Sequence, residues 1–155
     1  MSLPQSRFES LVEEDWERAV AQATTQFESL REQVLAALQS PAPQVRSAAV
    51  AVLLEAEDHT AHDSVVGLLL DPNEDVRTEV LEYLAEFAKP EDAKPLLAAL
   101  KSGAHSFLAT SALCRSMDVD GPVLDDGDPP QQVAVATDAW EAIVRGSGHQ
   151  PRDDA

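Results

Sequence analysis

The stretch Leu68–Leu84, LLLDPNEDVRTEVLEYL, decides the fold: an apolar run stops at Asp71-Pro72 and restarts at once as a second, amphipathic run. Pro72 cannot continue a helix, because it has no N–H to donate and it pushes the residue before it out of the helical region. Asn73, followed by Glu74 and Asp75, supplies the acceptor and the negative charge that favour a new helix start. Two antiparallel helices joined by a tight turn follow from this. The pattern stands earlier as LAALQSPAPQVRSAAVAVL, Leu35–Leu53, where Pro43 is the start signal in the first turn, and later as LAALKSGAHSFLATSAL, Leu97–Leu113.

In register, Val45, Val76 and Phe107 stand 31 residues apart, a period within the range of roughly 20–50 residues expected of solenoid repeats. A weaker fourth copy, Asp128-Pro129 to Val133-Ala134, comes after only 26 residues and has lost part of its first helix. The spacing predicts one all-α domain over 1–145, with a capping helix at 7–25 and repeats at 26–57, 58–88 and 89–117. A degenerate fourth repeat at 118–145 carries the acidic loop DVDGPVLDDGDPP, and 146–155 reads as a flexible tail. Two capping boxes, Ser6 with Glu9 and Thr25 with Glu28, predict separate helices over Arg7–Ala23 and Gln26–Gln39. The first places Phe8, Leu11, Val12, Ala19 and Val20 on one stripe, with Trp16 at its edge. Further helices are expected over Ala61–Leu70, Glu74–Phe87 and Gln131–Val144, although VAVA at 133–136 also suits a strand.

These residues carry a resemblance. Asp71-Pro72 with Val76-Arg77, Pro41 with Val45-Arg46, and Lys89-Pro90-Glu91-Asp92-Ala93 at the start of the third unit resemble HEAT repeats and the HEAT-like repeats of bacterial proteins, over roughly Gln26 to Met117. The resemblance implies a short right-handed α-solenoid of stacked antiparallel helix pairs, and a ladder in which the Arg of the second helix meets the Asp of the turn. Here that ladder falls on Arg46, Arg77 and Asp71. Leu108 and Ala134 replace the Arg in the later units, while Ser40 and Ser102 replace the Asp.

Composition narrows the function classes. Hydrophobic residues make up 44% of the 155 but aromatics only 5%, so the core is built from Ala, Val and Leu, which let helices approach closely. A formal net charge of -17, from 28 acidic against 11 basic residues, argues against nucleic acid and anionic membranes as partners. No run approaches the ~18 apolar residues of a membrane span, the N-terminal residues lack a signal-peptide pattern, and Cys114 stands alone, so a cytoplasmic protein is the expectation.

Little here points to chemistry. His59 and His62, flanked by Asp58 and Asp63, form the densest group of potential ligands, but no third ligand is specified near them, and no metal is expected. Read as a calcium loop from Asp118, the acidic stretch puts Pro122 at a ligand position, Val123 where glycine belongs and Pro129 where Glu belongs. No nucleophile elbow or phosphate-binding glycine loop occurs, and no cofactor is expected. The iron hydroxylases of this architecture use His-Glu pairs, whereas His59, His62, His105 and His149 precede Thr, Asp, Ser and Gln.

The reading is therefore a non-enzymatic module that presents an acidic surface to a basic protein. Glu55, Glu79, Glu82 and Glu86 form the expected acidic row, and Tyr83 and Trp140, each seven residues after a repeat valine, are the candidate aromatic anchors. A plug at the end of the core is the competing reading for Trp140, and a core position the competing reading for Tyr83. Two other functions stay open: a bacterial immunity protein or nucleic-acid mimic that inhibits a toxin or nuclease, and, by family analogy alone, a phycobilin-lyase-like chromophore-binding enzyme.

Overall fold

The computed structural model describes residues 6–102 and 105–149, and among them all regular structure is helical. The chain divides into two compact units, Met1–Tyr83 and Leu84–Ala155, where the repeat pattern predicts one continuous domain over 1–145.

The first unit opens with α1 (Arg7–Glu14), α2 (Trp16–Thr25), α3 (Phe27–Ala37) and α4 (Pro43–Glu55). The single capping helix expected at 7–25 is instead a helix pair. Asp15 ends α1 in extended conformation, and its carboxylate accepts the N–H of Arg18 at 3.1 Å to start α2. The apolar stripe spans the break without a change of phase, with Phe8 and Val12 buried before it and Ala19, Val20 and Ala23 after it. Ser6 caps α1 as expected, accepting from the N–H of Glu9 at 3.1 Å. Thr25 does not cap α3: its hydroxyl donates back to the carbonyl of Ala21, and α3 starts from Gln26 without a side-chain cap.

α1 packs on α2, α3 and α4, and α2 and α3 both pack on α4. Helix α4 is buried almost all round: Val45 and every residue from Ser47 to Leu53 lie inside. It ends where Glu57 takes a left-handed conformation, φ 55°, with the N–H of Glu57 on the carbonyl of Leu54 and that of Asp58 on the carbonyl of Leu53. That turn delivers Asp58 to two partners. Its carboxylate receives Arg31 Nε at 2.8 Å, and its carbonyl receives the hydroxyl of Tyr83 at 2.8 Å.

The first half of the second repeat is shorter than predicted. A 3-10 turn over His59–Ala61 leads into α5 (His62–Val66), and turns carry the chain on to Leu70, where a helix over Ala61–Leu70 was expected. α6 (Glu74–Phe87) follows, with Asn73 Oδ1 accepting from the N–H groups of Asp75 and Val76 as the sequence implies.

The ladder forms at the turns of the first unit. Arg46 grips Asp71 with two parallel bonds of 2.9 Å, and the pair is nearly buried, with side chains 14% and 5% exposed. Arg46 also donates to the carbonyl of Ser40, and Arg77 to the carbonyl of Asp71, both at 2.8 Å and both six residues back along the chain. Burial pushes the Asp71 carboxyl up, but hydrogen bonds from Arg46 and the Asn73 N–H and the charges of Arg46 and Arg77 outweigh it, holding the group below its ordinary value of 3.8.

The second unit holds α7 (Ala93–Lys101), α8 (Ser106–Met117) and α9 (Pro130–His149), with a 3-10 turn at Pro90–Asp92 before α7. α7 packs on α8 and α9. Phe107 is not the core residue of its repeat; it is 44% exposed, whereas Val45 and Val76 are buried. The buried stripe of α8, on Ser106, Ala109, Thr110 and Leu113, falls one residue before the 31-residue register, and one residue rotates a side chain by about 100°. The predicted strand alternative at 133–136 is helix, and α9 continues through 146–149, the first part of the expected tail. The remainder of that tail, 150–155, lies outside the described residues.

The acidic stretch after Met117 is a loop, as predicted, but it is tied down. Leu124 is buried and its N–H donates to Thr110 Oγ1 at 3.0 Å; Asp126 accepts the N–H of Phe107 at 3.0 Å. Trp140 is fully buried beneath the loop and donates through Nε1 to the carbonyl of Pro122 at 2.7 Å. A Cβ at Gly121 would stand 2.4 Å from the Trp140 ring, so only glycine lets the loop lie on the indole.

Two substitutions test this account by urea unfolding. Asp71→Ala leaves the Arg46 guanidinium buried without its carboxylate and is expected to cost about 3–5 kcal/mol at neutral pH. Because the folded pKa of Asp71 lies below 3.8, that difference is present above this value and shrinks as pH falls through the folded pKa. Gly121→Ala is expected to cost about 1–3 kcal/mol by forcing the loop off Trp140.

A candidate partner-binding groove

The second helix of each repeat sets the side chains that could meet a partner. On α6, Val76, Val80 and Tyr83 recur at i, i+4 and i+7 and all are buried. Seven residues is close to two helical turns, so the offset that marks Tyr83 as a repeat position also turns it inward. Tyr83 is therefore not an exposed anchor, and its hydroxyl is held by the Asp58 carbonyl. Trp140 is likewise fully buried, which leaves the plug reading and removes the anchor reading. Glu82 and Glu86 on α6 and Glu55 on α4 are exposed, and Glu79 is partly buried.

In the first unit, two depressions of about 340 and 400 Å3 lie along α2, α4 and α6 and share two lining residues, Trp16 and Glu79. The first is lined by Ser47, Asn73 and Asp75 among others; the second adds Glu17, Val20, Ala51, Leu54, Glu55 and Glu82. Glu55, Glu79 and Glu82, singled out from sequence, thus come together at one groove. Glu86 belongs to the second unit.

The sequence reading puts Trp16 at the edge of an apolar stripe and does not count it among the candidate binding residues. Trp16 donates through Nε1 to Ser47 Oγ at 3.0 Å, and the two stand 31 residues apart, the repeat period itself. α2 therefore occupies the place of a second helix one period before α4. Reading 7–25 as a single cap hid that signal.

The groove's electrostatics are one-sided. Among the described residues that line the two depressions there is no Lys, Arg or His. Burial, then the neighbouring charges of Glu82, Asp75 and Glu55, push the Glu79 carboxyl from its ordinary 4.5 up to about 7. A group held this way waits for a cation or keeps its proton. Elsewhere, among the described residues, no three His, Cys, Asp or Glu side chains gather as metal ligands would. His62, read as a polar residue at a helix start, is buried with Nδ1 2.8 Å from Asp63 Oδ1.

The family model for HEAT repeats matches residues 31–114, more than half of the chain. The chain belongs to the HEAT-repeat family. HEAT repeats generally serve as protein-interaction modules and are typically scaffolds without catalytic activity. No curated protein and no solved structure matches the chain. Within this HEAT-repeat chain the match begins inside α3, so the α1–α2 pair, which supplies Trp16 and Glu17, lies outside it. No helix among the described residues is long and apolar enough to cross a membrane.

Glu79→Gln tests the strain in the groove. The raised pKa means that the folded chain holds a proton the unfolded chain has lost between about pH 4.5 and 7, so stability falls as pH rises through that window and stays lowered above it. The variant is expected to be more stable than the parent by about 1–2 kcal/mol at pH 8, with the gain vanishing below pH 4.5, as read from thermal melts across pH.

Proposed function

We propose that this chain is a non-enzymatic protein-interaction module whose acidic second-helix face receives a basic segment of a partner protein. The observation that carries the reading is Glu79, set in a groove among Glu55, Asp75 and Glu82 at a position where its own ionisation is opposed. A basic segment laid along α2, α4 and α6 relieves that repulsion, so charge complementarity works with the groove's shape. The overall charge of -17 extends the attraction beyond the groove and speeds encounter, while it turns phosphate backbones away.

The test is a fluorescence titration of the purified protein with a short Lys/Arg-rich peptide and with a control in which the basic residues are replaced by Glu. The basic peptide is expected to bind at low salt and to lose about tenfold or more in affinity at high salt, the acidic control not to bind at all. Glu55→Lys combined with Glu82→Lys changes only exposed side chains and is expected to abolish binding. Equal affinity for both peptides, or indifference to salt, would sink the proposal.

A further inference from the structure

The second depression is more than a collection of carboxylates. Val20 and Ala51 are buried at its base beside Leu54, and the Trp16 indole forms part of its wall. Trp16 is fixed in place, since its Nε1–H is spent on Ser47 Oγ and Ser47 is itself buried. Glu55 and Glu82 are exposed and Glu79 is half-buried, so the acidic groups of the lining reach solvent while its Val20 and Ala51 do not. A volume of about 400 Å3 is at the small end for a ligand site and admits a long side chain rather than a helix.

Resting on the function proposed above, we infer that this depression takes one arginine or lysine side chain of the partner, with its methylenes over Val20, Ala51 and Leu54 and its cationic head among Glu55, Glu79 and Glu82. Such a side chain is an apolar stem with a charged tip, and it matches the lining in that order. An aromatic wall adds attraction for the cation. The charged groups that face Glu79 are Glu17 from α2, Glu55 from α4, and Asp75 and Glu82 from α6, all of one sign. Seating a cation therefore releases the proton that Glu79 retains near pH 7, and affinity rises with pH through that value.

The experiment uses the full chain and the same Lys/Arg-rich peptide, with each basic residue changed singly to Ala. A single pocket predicts one position whose loss costs about tenfold or more, while the others cost about twofold each. Trp16 emission is expected to shift on binding, with buried Trp140 silent. Trp16→Phe keeps the charge and is expected to weaken binding about fivefold without changing the salt dependence. Ser47→Ala, which loses the same hydrogen bond but keeps the indole, is expected to retain most of the affinity. Salt-sensitive binding in which no peptide position dominates and Trp16→Phe is neutral overturns the pocket and leaves the acidic-face reading standing. No binding of the basic peptide at low salt overturns both.

Discussion

Helix α4 has almost no polar side, and the first unit depends on that. A helix buried nearly all round must be covered from several directions at once, and α1, α2 and α3 all pack on it. Its run of Ser47, Ala48, Ala49, Val50, Ala51 and Val52 keeps the surface low, so the covering helices come close without large side chains to interlock. The α1–α2 pair is thus no ornament on a repeat array. Without it α4 would present Ala51 and its neighbours to water, and the groove would lose both its aromatic wall and the Val20 part of its base.

The turns solve a separate problem. Small apolar residues fix that helices pack but hardly fix their register, because one alanine face fits another in several positions. The bidentate Arg46–Asp71 pair, together with the donations of Arg46 and Arg77 to turn carbonyls, ties the starts of α4 and α6 to the turns that precede them and Arg46 to the next turn as well. Arg31, held by Asp58, does similar work at the other end of the hairpins. The Arg46–Asp71 bonds are directional and nearly buried, so a shift of one helical step would strand a charge.

What the sequence showed and what it hid follow from the reach of each signal. Proline and Asx turns act within three or four residues, so the helix starts at Pro43 and Glu74 and the repeat of 31 were legible. The ladder was legible for the same reason, since Arg46, Asp71 and Arg77 sit at fixed offsets from those turns. The break at Asp15 was not, because its single extended residue leaves the apolar stripe in phase on both sides. Repeat position marks Tyr83 as a candidate anchor while its phase does not; two turns from buried Val76 is again the core, and Trp140 shares the buried stripe of α9 with Ala136 and Val144. Phe107 erred the opposite way, because the buried stripe of α8 falls one residue before the repeat register, on Ser106, Ala109, Thr110 and Leu113. The hold of the acidic loop on Trp140 depends on the missing Cβ of Gly121, a contact 19 residues away in sequence that no local pattern announces.

Cation placement explains why the groove stays acidic. Every basic residue before Lys89 is arginine, and there are five: Arg7, Arg18, Arg31, Arg46 and Arg77. Three of them are committed to turns, where they hold Asp58, Asp71 and the carbonyls of Ser40 and Asp71. Arginine suits that duty because its planar fork grips two acceptors in a fixed geometry, which a lysine cannot do. The arginines spent on architecture are therefore unavailable to neutralise the second-helix face, where Glu79 is left to its acidic neighbours. The charges thus divide between two regions of the first unit, one closed by internal salt bridges and one where Glu79 lies among Glu82, Asp75 and Glu55.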